Sequence, residues 1–434
     1  MDKMADVLGR AGAWCGQNKY LSAIKNAFQN FMPLTIAGAI GVLWCNVLVN
    51  DQTGLGLFFK PIMALDFLNP AFQAVNFCTI SCITVGITLG IAQEIGIWNM
   101  GAEKAGYIPG LVGLAAWLSV TNTSHMVEGA KAAFTGISGN ELGATGLFTG
   151  MIIGVLSVEL FCFFEKQDAL KIKMPEQVPP GVARAFEVLV PATITLIITA
   201  CIGSACYNLT GLYLNDVIKN GIQGPLGAVG ATIPGVMIIY LVIMLFWLVG
   251  IHGNNMLSAV KEALFTPLAL ENVEAFNKHQ TPKNIINMYA LQMWGEFGGS
   301  GVTIGLVIAI MIFSKREDNK AIATLSLVPG LFNINETVTF GIPMVLNPIL
   351  GIPFVVAPLI TIIIGYVLTV IGFCPVACLT VPWTTPPIVF GFLACGANVM
   401  GAVTQAILIV VSTVIYTPFL ISYEKYQNKQ AAEA

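Results

Sequence analysis

A carboxylate and two carboxamides interrupt one of the apolar stretches of this 434-residue chain. Asn333, Asn335 and Glu336 stand among segments rich in Leu, Val, Ile and Phe. A charged side chain in hydrocarbon costs roughly 3 kcal/mol on insertion scales, so a chain that keeps one usually uses it. One interpretation is a structural carboxylate that caps a broken helix, whose N-terminal dipole favours negative charge. Because two asparagines accompany the carboxylate, we favour a polar pocket for a hydroxyl-rich solute, in which Glu336 accepts a hydroxyl proton.

A second polar cluster directly follows an apolar run, in the sequence Gly-Ile-His-Gly-Asn-Asn at 250–255. Gly253 lets a ligand approach the backbone closely. Asn254 and Asn255 supply both donors and acceptors of hydrogen bonds. His252 could bind a ligand, but a lone histidine at a membrane interface is often only a satisfied polar group. These residues alone do not decide between the two interpretations.

A glycine-rich segment at 293–301 carries Trp294 and Glu296. It could line a cavity, or it could pack helices together through its small residues. The segment lacks the Gly-Lys-Ser/Thr sequence of a P-loop, so no nucleotide or Mg²⁺ site is predicted there.

Tryptophan side chains are further candidates. Trp383 lies beside Thr384 in a Pro-rich segment, where an indole ring can stack on the apolar face of a sugar. We therefore predict substrate contact for Trp383 and Thr384. Trp247, about one helical turn before His252, is open between substrate contact and an interfacial role. The remaining tryptophans outside these clusters are predicted to be interfacial anchors: Trp14, Trp44, Trp98 and Trp117.

The composition places these side chains in a membrane. Hydrophobic residues make up 56% of the chain and charged residues 10%, with a mean hydropathy of +0.79. Soluble domains carry about 25% charged residues. Several apolar runs reach the ~20 residues that cross a bilayer as a helix. The sequence therefore predicts an all-α polytopic membrane protein embedded in the lipid bilayer, with no nucleic-acid partner.

The cysteines and the first residues exclude other classes. The ten cysteines stand mostly singly in apolar spans, which is typical of reduced, buried thiols. Cys374 and Cys378 match no zinc pattern, so we expect no metal and no cofactor. The segment 1–30 is amphipathic and lacks the apolar core and cleavage site of a signal peptide, so we expect none to be removed.

Positive charge predicts the orientation. Fourteen of the 20 Lys and Arg residues fall in segments that alternate to one side, including 1–30, 165–187 and 315–320. The positive-inside rule then places both termini in the cytoplasm. Alternation also requires an odd number of crossings within 251–296, and one crossing there gives about ten transmembrane helices.

Two apolar stretches fit poorly as simple spans. Residues 321–343 and 374–398 contain prolines and polar side chains. Non-helical backbone survives at membrane depth only where protein or a water-filled cavity surrounds it, so both are predicted to be re-entrant hairpins. Broken segments of this kind often mark the binding site of a transporter. A basic, Pro-rich linker at 171–181 separates the first four spans from the rest.

The sequence 331–343, Leu-Phe-Asn-Ile-Asn-Glu-Thr-Val-Thr-Phe-Gly-Ile-Pro, followed by Leu-Asn-Pro at 346–348, resembles a known family. It is similar to the membrane-embedded IIC components of the phosphoenolpyruvate-dependent sugar phosphotransferase system, in the lactose, cellobiose and diacetylchitobiose group. Residues 180–191 and 247–255 support the resemblance, which extends from about residue 20 to the C-terminus. The family typically has proline after the glutamate, where this chain has Thr337.

The resemblance implies a sugar permease of the bacterial cytoplasmic (inner) membrane that couples uptake to phosphorylation of the sugar. The phosphoryl donor would be a phosphocysteine on a separate IIB protein, itself supplied by IIA. This chain would form the site without being phosphorylated, which leaves open whether it is an enzyme in its own right. The resemblance further implies a cytoplasmic segment at 1–30, a dimer-forming N-terminal half at 31–207 and a sugar-binding half at 208–434.

Roles for individual residues also follow from the resemblance. Glu336 would orient or deprotonate the reacting hydroxyl, and His252 would hydrogen-bond that oxygen or the incoming phosphoryl group. Trp383 would pack against the sugar ring. The other hydroxyls would be bound by the asparagines of the two polar clusters: Asn254, Asn255, Asn333 and Asn335.

Two other functions are compatible with the residues. One is an ion-coupled secondary sugar transporter in which Glu336 binds H⁺ or Na⁺. The other is a channel or non-transporting receptor, which the buried glutamate and the broken segments disfavour. The residues do not name the disaccharide, the crossing count within 251–296 or the direction in which the site opens. They also leave open whether Glu336 is a base or only orients the hydroxyl.

Overall fold

The computed structural model describes residues 10, 12–14, 17–51, 55–125, 134–175, 177–342 and 344–433. Part of the predicted amphipathic segment at 1–30, including residues 1–9, lies outside the described residues, as does Pro343 at the end of the first predicted hairpin.

The described residues form α-helices almost throughout. In chain order they are α1 Lys19–Leu43, α2 Asn69–Cys78, α3 Ile83–Met100, α4 Ala102–Ala105, α5 Ile108–Val120, α6 Gly139–Leu142, α7 Ala144–Glu165, α8 Pro180–Thr210, α9 Leu214–Ile218, α10 Gly224–Gly230, α11 Ile233–Leu248, α12 Gly253–Met256, α13 Ser258–Asn277, α14 Met288–Gly295, α15 Ile304–Phe313, α16 Glu317–Leu331, α17 Glu336–Gly341, α18 Gly351–Val370, α19 Val389–Ala394 and α20 Val399–Glu433.

Shorter elements join these helices. The 3₁₀ turns are Leu55–Leu57, Lys60–Leu68, Ile80–Cys82 and Asp168–Leu170, and the π turns are Trp44–Leu48 and Lys219–Gln223. Two short strands, β1 (Ser124–His125) and β2 (Phe134–Thr135), pair antiparallel, with Ser124 opposite Thr135.

Six of the helical stretches are long and apolar enough to cross a bilayer: Lys19–Leu48, Lys60–Met100, Ala144–Glu165, Pro180–Thr210, Gly351–Val370 and Val399–Gln430. Three shorter helices, α5, α11 and α15, are also apolar. The predicted all-α polytopic membrane fold is confirmed.

The bounds of α8 show how the sequence sets an element. Proline at the first helical position has a suitable fixed φ, and its missing N–H would have no helical partner there. Pro180 begins α8 in this way. Gly211 ends the helix with φ 72°, in the left-handed region where a glycine carries no Cβ penalty. The described residues of the linker at 171–181 are non-helical up to Pro179, as its prolines predict.

The chain divides into two compact units. The N-terminal unit comprises residues 17–38 and 74–227, and the C-terminal unit comprises residues 1–16, 39–73 and 228–434. The predicted boundary at 207/208 thus falls inside the N-terminal unit, and residues 39–73 cluster with the C-terminal residues. The assignment of dimerisation and sugar binding to different halves stays a prediction.

Small residues bring the helices of the N-terminal unit close together. A Cβ added at Gly113 of α5 would lie 2.3 Å from the Ala92 side chain of α3, so only glycine fits there. Trp117 of α5 is 1% exposed and packs against Ile153 of α7. The prediction that Trp117 is an interfacial anchor is therefore wrong, because its ring fills the core of this unit.

The first broken segment of the C-terminal unit folds back on itself. After α16 the chain reverses at residues 332–335, and α17 packs against α16. A Cβ added at Gly341 would lie 2.8 Å from the Ile322 side chain. This geometry is that of the hairpin predicted at 321–343, over the part of it that the structure describes.

The second broken segment also returns to its starting point. The backbone N–H groups of Cys378 and Leu379 donate to the carbonyl of Ala394, at 2.8 and 3.1 Å. Between these ends the chain is irregular up to α19. The hairpin predicted at 374–398 has this form.

Two apolar regions differ from simple spans. In the run 297–314, helix α15 begins only at Ile304, because residues 298–302 form an irregular segment with positive φ at Gly298, Gly299, Gly301 and Val302. In the range 251–296, α13 is the one helix of 20 residues.

Candidate functional site

A cavity of about 610 Å³ lies in the C-terminal unit. Small-molecule sites span roughly 300–1,000 Å³. Eight of the predicted site residues line it: His252, Asn254, Asn255, Glu296, Asn333, Asn335, Glu336 and Trp383. The polar clusters at 250–255 and 333–336, which lie more than 70 positions apart in the sequence, thus share one cavity.

Glu336 and His252 face each other across this cavity. The Nε2 atom of His252 lies 3.8 Å from Oε1 of Glu336, which is too far for a direct hydrogen bond. The Nδ1 atom of His252 accepts the backbone N–H of Asn255 at 3.3 Å. In the neutral ring the hydrogen is therefore on Nε2, the nitrogen that faces the carboxylate. A hydroxyl oxygen between them can donate to Glu336 while it accepts from His252.

The position of Glu336 explains how an apolar sequence tolerates its charge. Glu336 is the first residue of α17, and a helix N-terminus stabilises a carboxylate. Its side chain is 47% exposed because it faces the cavity, away from the hydrocarbon-like interior.

Asn333 connects three segments around the cavity. Its Oδ1 accepts the backbone N–H of Gly298 at 2.6 Å. Its Nδ2 donates to the carbonyls of Trp383 and Thr385, at 2.5 and 3.0 Å. The backbone of Asn333 has φ 62°, a left-handed conformation that asparagine tolerates better than most residues. The carboxamide predicted to bind a hydroxyl is thus already engaged in holding the cavity walls.

Asn335 is similarly engaged. It is 3% exposed, and its Nδ2 donates to the carbonyl of Ser300 at 2.7 Å. Gly299, with φ 87°, lies so close that an added Cβ would be 2.6 Å from Cβ of Asn335. The glycines of the 293–301 segment therefore allow this segment to approach the Asn335 side chain.

Glu296 forms a buried ion pair that the sequence does not reveal. Its Oε1 accepts from the ammonium group of Lys261 and from the hydroxyl of Tyr240, the latter at 2.7 Å. Lys261 is only 6% exposed and also donates to Oδ1 of Asn254 at 3.3 Å. Lys261 is one of the cations that the charge pattern assigns to neither side of the membrane, and this ion pair was not predicted.

Two predicted tryptophans lie behind the cavity wall. The Trp247 ring is 2% exposed, and its centroid lies 4.5 Å from that of His252, which it supports. Trp294 is 1% exposed and packs against α18, where a Cβ added at Gly365 would lie 2.4 Å from the indole.

Gly253 and Thr384 also lie outside the lining. A Cβ added at Gly253 would be 2.0 Å from the carbonyl oxygen of Ile243, so this glycine lets α12 pack against α11. Thr384 is half-buried beside Trp383 and does not line the cavity. Substrate contact by these two residues, and by the two buried tryptophans, stays a prediction.

The cavity also contains residues absent from the predicted set: Gln292, Phe297, Gly299, Ser300, Ile334, Phe390 and Gln405. Helical spacing could have identified Gln292, which precedes Glu296 by four residues. Gln405 is a lone amide in the apolar helix α20, and its Oε1 accepts the backbone N–H groups of Ile388 and Gly391, at 2.7 and 2.8 Å. It thereby holds the start of α19, which carries Phe390.

Comparisons with known proteins agree with this architecture. The family model of the phosphotransferase system EIIC matches residues 25–358. The oligo-beta-mannoside-specific EIIC component of Bacillus subtilis (strain 168) is 32% identical over 428 residues, covering 98% of this chain and 94% of that protein. The cellobiose-specific EIIC component of Lactococcus lactis subsp. lactis (strain IL1403) is 30% identical, with 98% of each chain covered.

A solved structure matches as well. It is the crystal structure of the transporter ChbC, the IIC component of the N,N'-diacetylchitobiose-specific phosphotransferase system. It superposes with a TM-score of 0.88 at 29% identity and covers 97% of each chain. The family predicted from the sequence is confirmed, and the chain belongs to the EIIC membrane components of the phosphotransferase system.

Proposed function

We propose that this chain carries a β-linked disaccharide across the bacterial cytoplasmic membrane and holds it for phosphorylation by a IIB protein. EIIC components work with IIB and IIA partners and a sugar. The sugars named for the relatives, oligo-β-mannosides, cellobiose and diacetylchitobiose, share a β linkage between pyranose rings. The cavity supports such a ligand through its hydrogen-bonding groups and through Trp383, whose half-exposed indole can lie against a sugar ring.

The facing pair of Glu336 and His252 can prepare a sugar hydroxyl for transfer. The hydroxyl oxygen attacks phosphorus on the phosphocysteine of IIB, so that an O–P bond forms while the S–P bond breaks and the cysteine leaves as thiolate. Glu336 accepts the hydroxyl proton, and Nε2–H of His252 donates to the oxygen or to the phosphoryl group. Such a reaction needs chiefly positioning and charge stabilisation, which this pair provides.

Phosphorylation also explains why uptake would be effectively irreversible. The product carries a phosphate charge that disfavours return through an apolar barrier. The proposal also includes the orientation and assembly of the chain. Both termini face the cytoplasm, where IIB and IIA act, and the chain forms a homodimer through its N-terminal spans.

The single observation that carries the proposal is the His252–Glu336 pair on the wall of a disaccharide-sized cavity. The test uses membrane vesicles that contain the purified chain, radiolabelled cellobiose and phosphorylated IIB. We expect phosphorylated sugar to accumulate only when phospho-IIB is present. Unphosphorylated IIB is the matched control. Accumulation of free sugar driven by an H⁺ or Na⁺ gradient without IIB would replace this proposal with ion-coupled transport.

A further inference from the structure

The α14 side of the cavity contains a second polar locus besides the His252–Glu336 pair. Gln292 and Glu296 lie one helical turn apart and both line the cavity. Oε1 of Glu296 is engaged by Lys261 and Tyr240, whereas Oε2 makes no hydrogen bond to a described residue. The ion pair therefore holds the carboxylate in place and leaves one oxygen for a ligand.

Gln292 complements this fixed acceptor. Its Oε1 is buried and has no hydrogen-bond partner within the described part of the chain. The protein therefore does not fix the orientation of this carboxamide. A ligand hydroxyl can donate to its oxygen or accept from its NH₂ group. A rigid acceptor beside an adjustable amide suits a ligand with adjacent hydroxyl groups.

A chain of hydrogen bonds connects this second locus to the reactive pair. From Glu296 the chain passes through Lys261 to Oδ1 of Asn254 at 3.3 Å. It continues from Nδ2 of Asn254 to Oγ of Ser300 at 2.9 Å, and from the Ser300 carbonyl to Nδ2 of Asn335 at 2.7 Å. The next residue is Glu336. Lys261, Asn254, Ser300 and Asn335 thus link the two carboxylates through hydrogen bonds, and both carboxylates line the same cavity.

We infer that Glu296 and Gln292 form the subsite for the sugar ring that does not carry the reacting hydroxyl, and that Lys261 and Tyr240 are its positioning residues. This inference rests on the proposed function. The subsite would make contacts that a disaccharide forms and a one-ring sugar does not. Glu296 accepts a hydroxyl hydrogen of that ring, and the Gln292 amide bonds to the neighbouring hydroxyl.

The experiment compares binding of cellobiose and of methyl β-glucoside, a one-ring probe, to the purified full-length chain without IIB. Gln292→Met should weaken cellobiose binding about tenfold, since it removes hydrogen bonds in a partly buried site. Binding of methyl β-glucoside should stay within about twofold, because that probe lacks the second ring. The double variant Lys261→Met/Glu296→Gln removes both partners of the ion pair. It should also bind cellobiose more weakly while its affinity for methyl β-glucoside changes little. Gln280→Met, at an exposed glutamine of the same unit, is the matched control.

A loss that is equal for both probes, or no loss for either, overturns the inference. Monodeoxy cellobioses provide a second measurement that does not depend on weak one-ring binding. For at least one analogue that lacks a hydroxyl on the second ring, the loss of affinity caused by Gln292→Met should be smaller than the loss measured with cellobiose. Equal losses with cellobiose and with every analogue also overturn the inference. Failure of wild-type chain to support phosphorylation with phospho-IIB would instead contradict the proposed function, which the binding assays do not test.

Discussion

Each side chain at the reactive pair has a separate task. The ring of His252 is oriented by the Asn255 N–H on one nitrogen and by the buried Trp247 behind it, so its other nitrogen faces Glu336. Glu336 is half-exposed at the start of α17, where a carboxylate is stabilised and still reaches the ligand. A substitution at Glu336 can therefore change the charge of the pair without removing the contacts that orient His252.

Glu336→Gln removes the proton acceptor and retains much of the shape and hydrogen-bonding capacity of the side chain. We expect the variant to bind cellobiose within a few-fold of the wild type. Phosphorylation should fall by roughly 10²–10⁴, the range for loss of a general base. Binding by calorimetry and transfer of radiolabel from phospho-IIB measure the two effects. Normal phosphorylation by this variant would show that Glu336 only orients the hydroxyl or has no catalytic role.

Lys261→Met leaves the Glu296 carboxylate in a buried position without its cation. Loss of one partner of a buried ion pair costs about 3–5 kcal/mol. We therefore expect a clear drop in the thermal midpoint of the detergent-solubilised chain, measured by size-exclusion chromatography after heating. The double variant Lys261→Met/Glu296→Gln should recover part of the loss. An equally unstable double variant would show that the lysine contributes through packing alone.

At the scale of elements, three irregular segments create the cavity: the turn at 332–335, the glycine-rich stretch at 298–302 and the hairpin at 374–398. Asn333 bonds to the other two segments at once. The helices around them supply hydrophobic packing, and the hydrogen bonds of Asn333 hold the three non-helical segments together.

Substitution of Asn333 tests this connection. Asn333→Gly removes three hydrogen bonds but still adopts the left-handed backbone conformation easily. Asn333→Ala removes the same hydrogen bonds and also disfavours that conformation. We expect both variants to lose about tenfold or more in cellobiose affinity, because the main chain at Trp383 is no longer held. The glycine variant should be the more stable of the two in thermal unfolding. Asn208→Ala, at an exposed position in α8, is the control, and wild-type affinity in both Asn333 variants would contradict the proposed role.

The sequence was most informative where several polar residues cluster within an apolar stretch. Glu336 and His252 stand out for this reason, and the structure places both in one cavity. Lys261 lies in a helix with several other charges, whereas Gln292 and Gln405 are single amides in apolar helices, so none of the three stands out. The engaged state of Asn333 was also beyond prediction, since its partners at 298 and 383–385 are distant in the sequence. Trp117 shows the opposite error: an aromatic in an apolar helix looks the same in sequence whether it faces lipid or the core.

At the scale of the molecule, each unit has its own internal ion pairs. In the N-terminal unit Glu165 is 1% exposed and accepts from Lys104 at 2.8 Å and Arg184 at 3.0 Å, which links α4, α7 and α8. Arg184 also pairs with Glu187 at 2.8 Å. These cations belong to the set that predicts a cytoplasmic location, so the ion pairs are expected at the inner surface.

Reporter fusions test that orientation. A green fluorescent protein fused after residue 434 should fluoresce, because it folds in the cytoplasm, and alkaline phosphatase at the same position should be inactive. Lys219 lies in a segment that the alternation of the spans places on the side opposite to the termini. Phosphatase inserted after Lys219 should therefore be active, and this insertion is the matched control. The reverse pattern would mean that the predicted topology is inverted.

The C-terminal helix has a mechanical consequence for the reactive end of the site. Glu424 of α20 is 7% exposed and accepts from the Ser314 hydroxyl, from the backbone N–H of Lys315 at 3.2 Å and from the Asn319 amide at 3.0 Å. It thereby anchors the first turn of α16, whose 15 residues extend roughly 22 Å towards Glu336. Glu336 thus follows the C-terminal end of α16, a helix whose first turn is hydrogen-bonded to α20. Asn333 fixes the turn at 332–335 to the segments at 298 and 383–385, so Glu336 is held in place both from α20 and from the cavity wall.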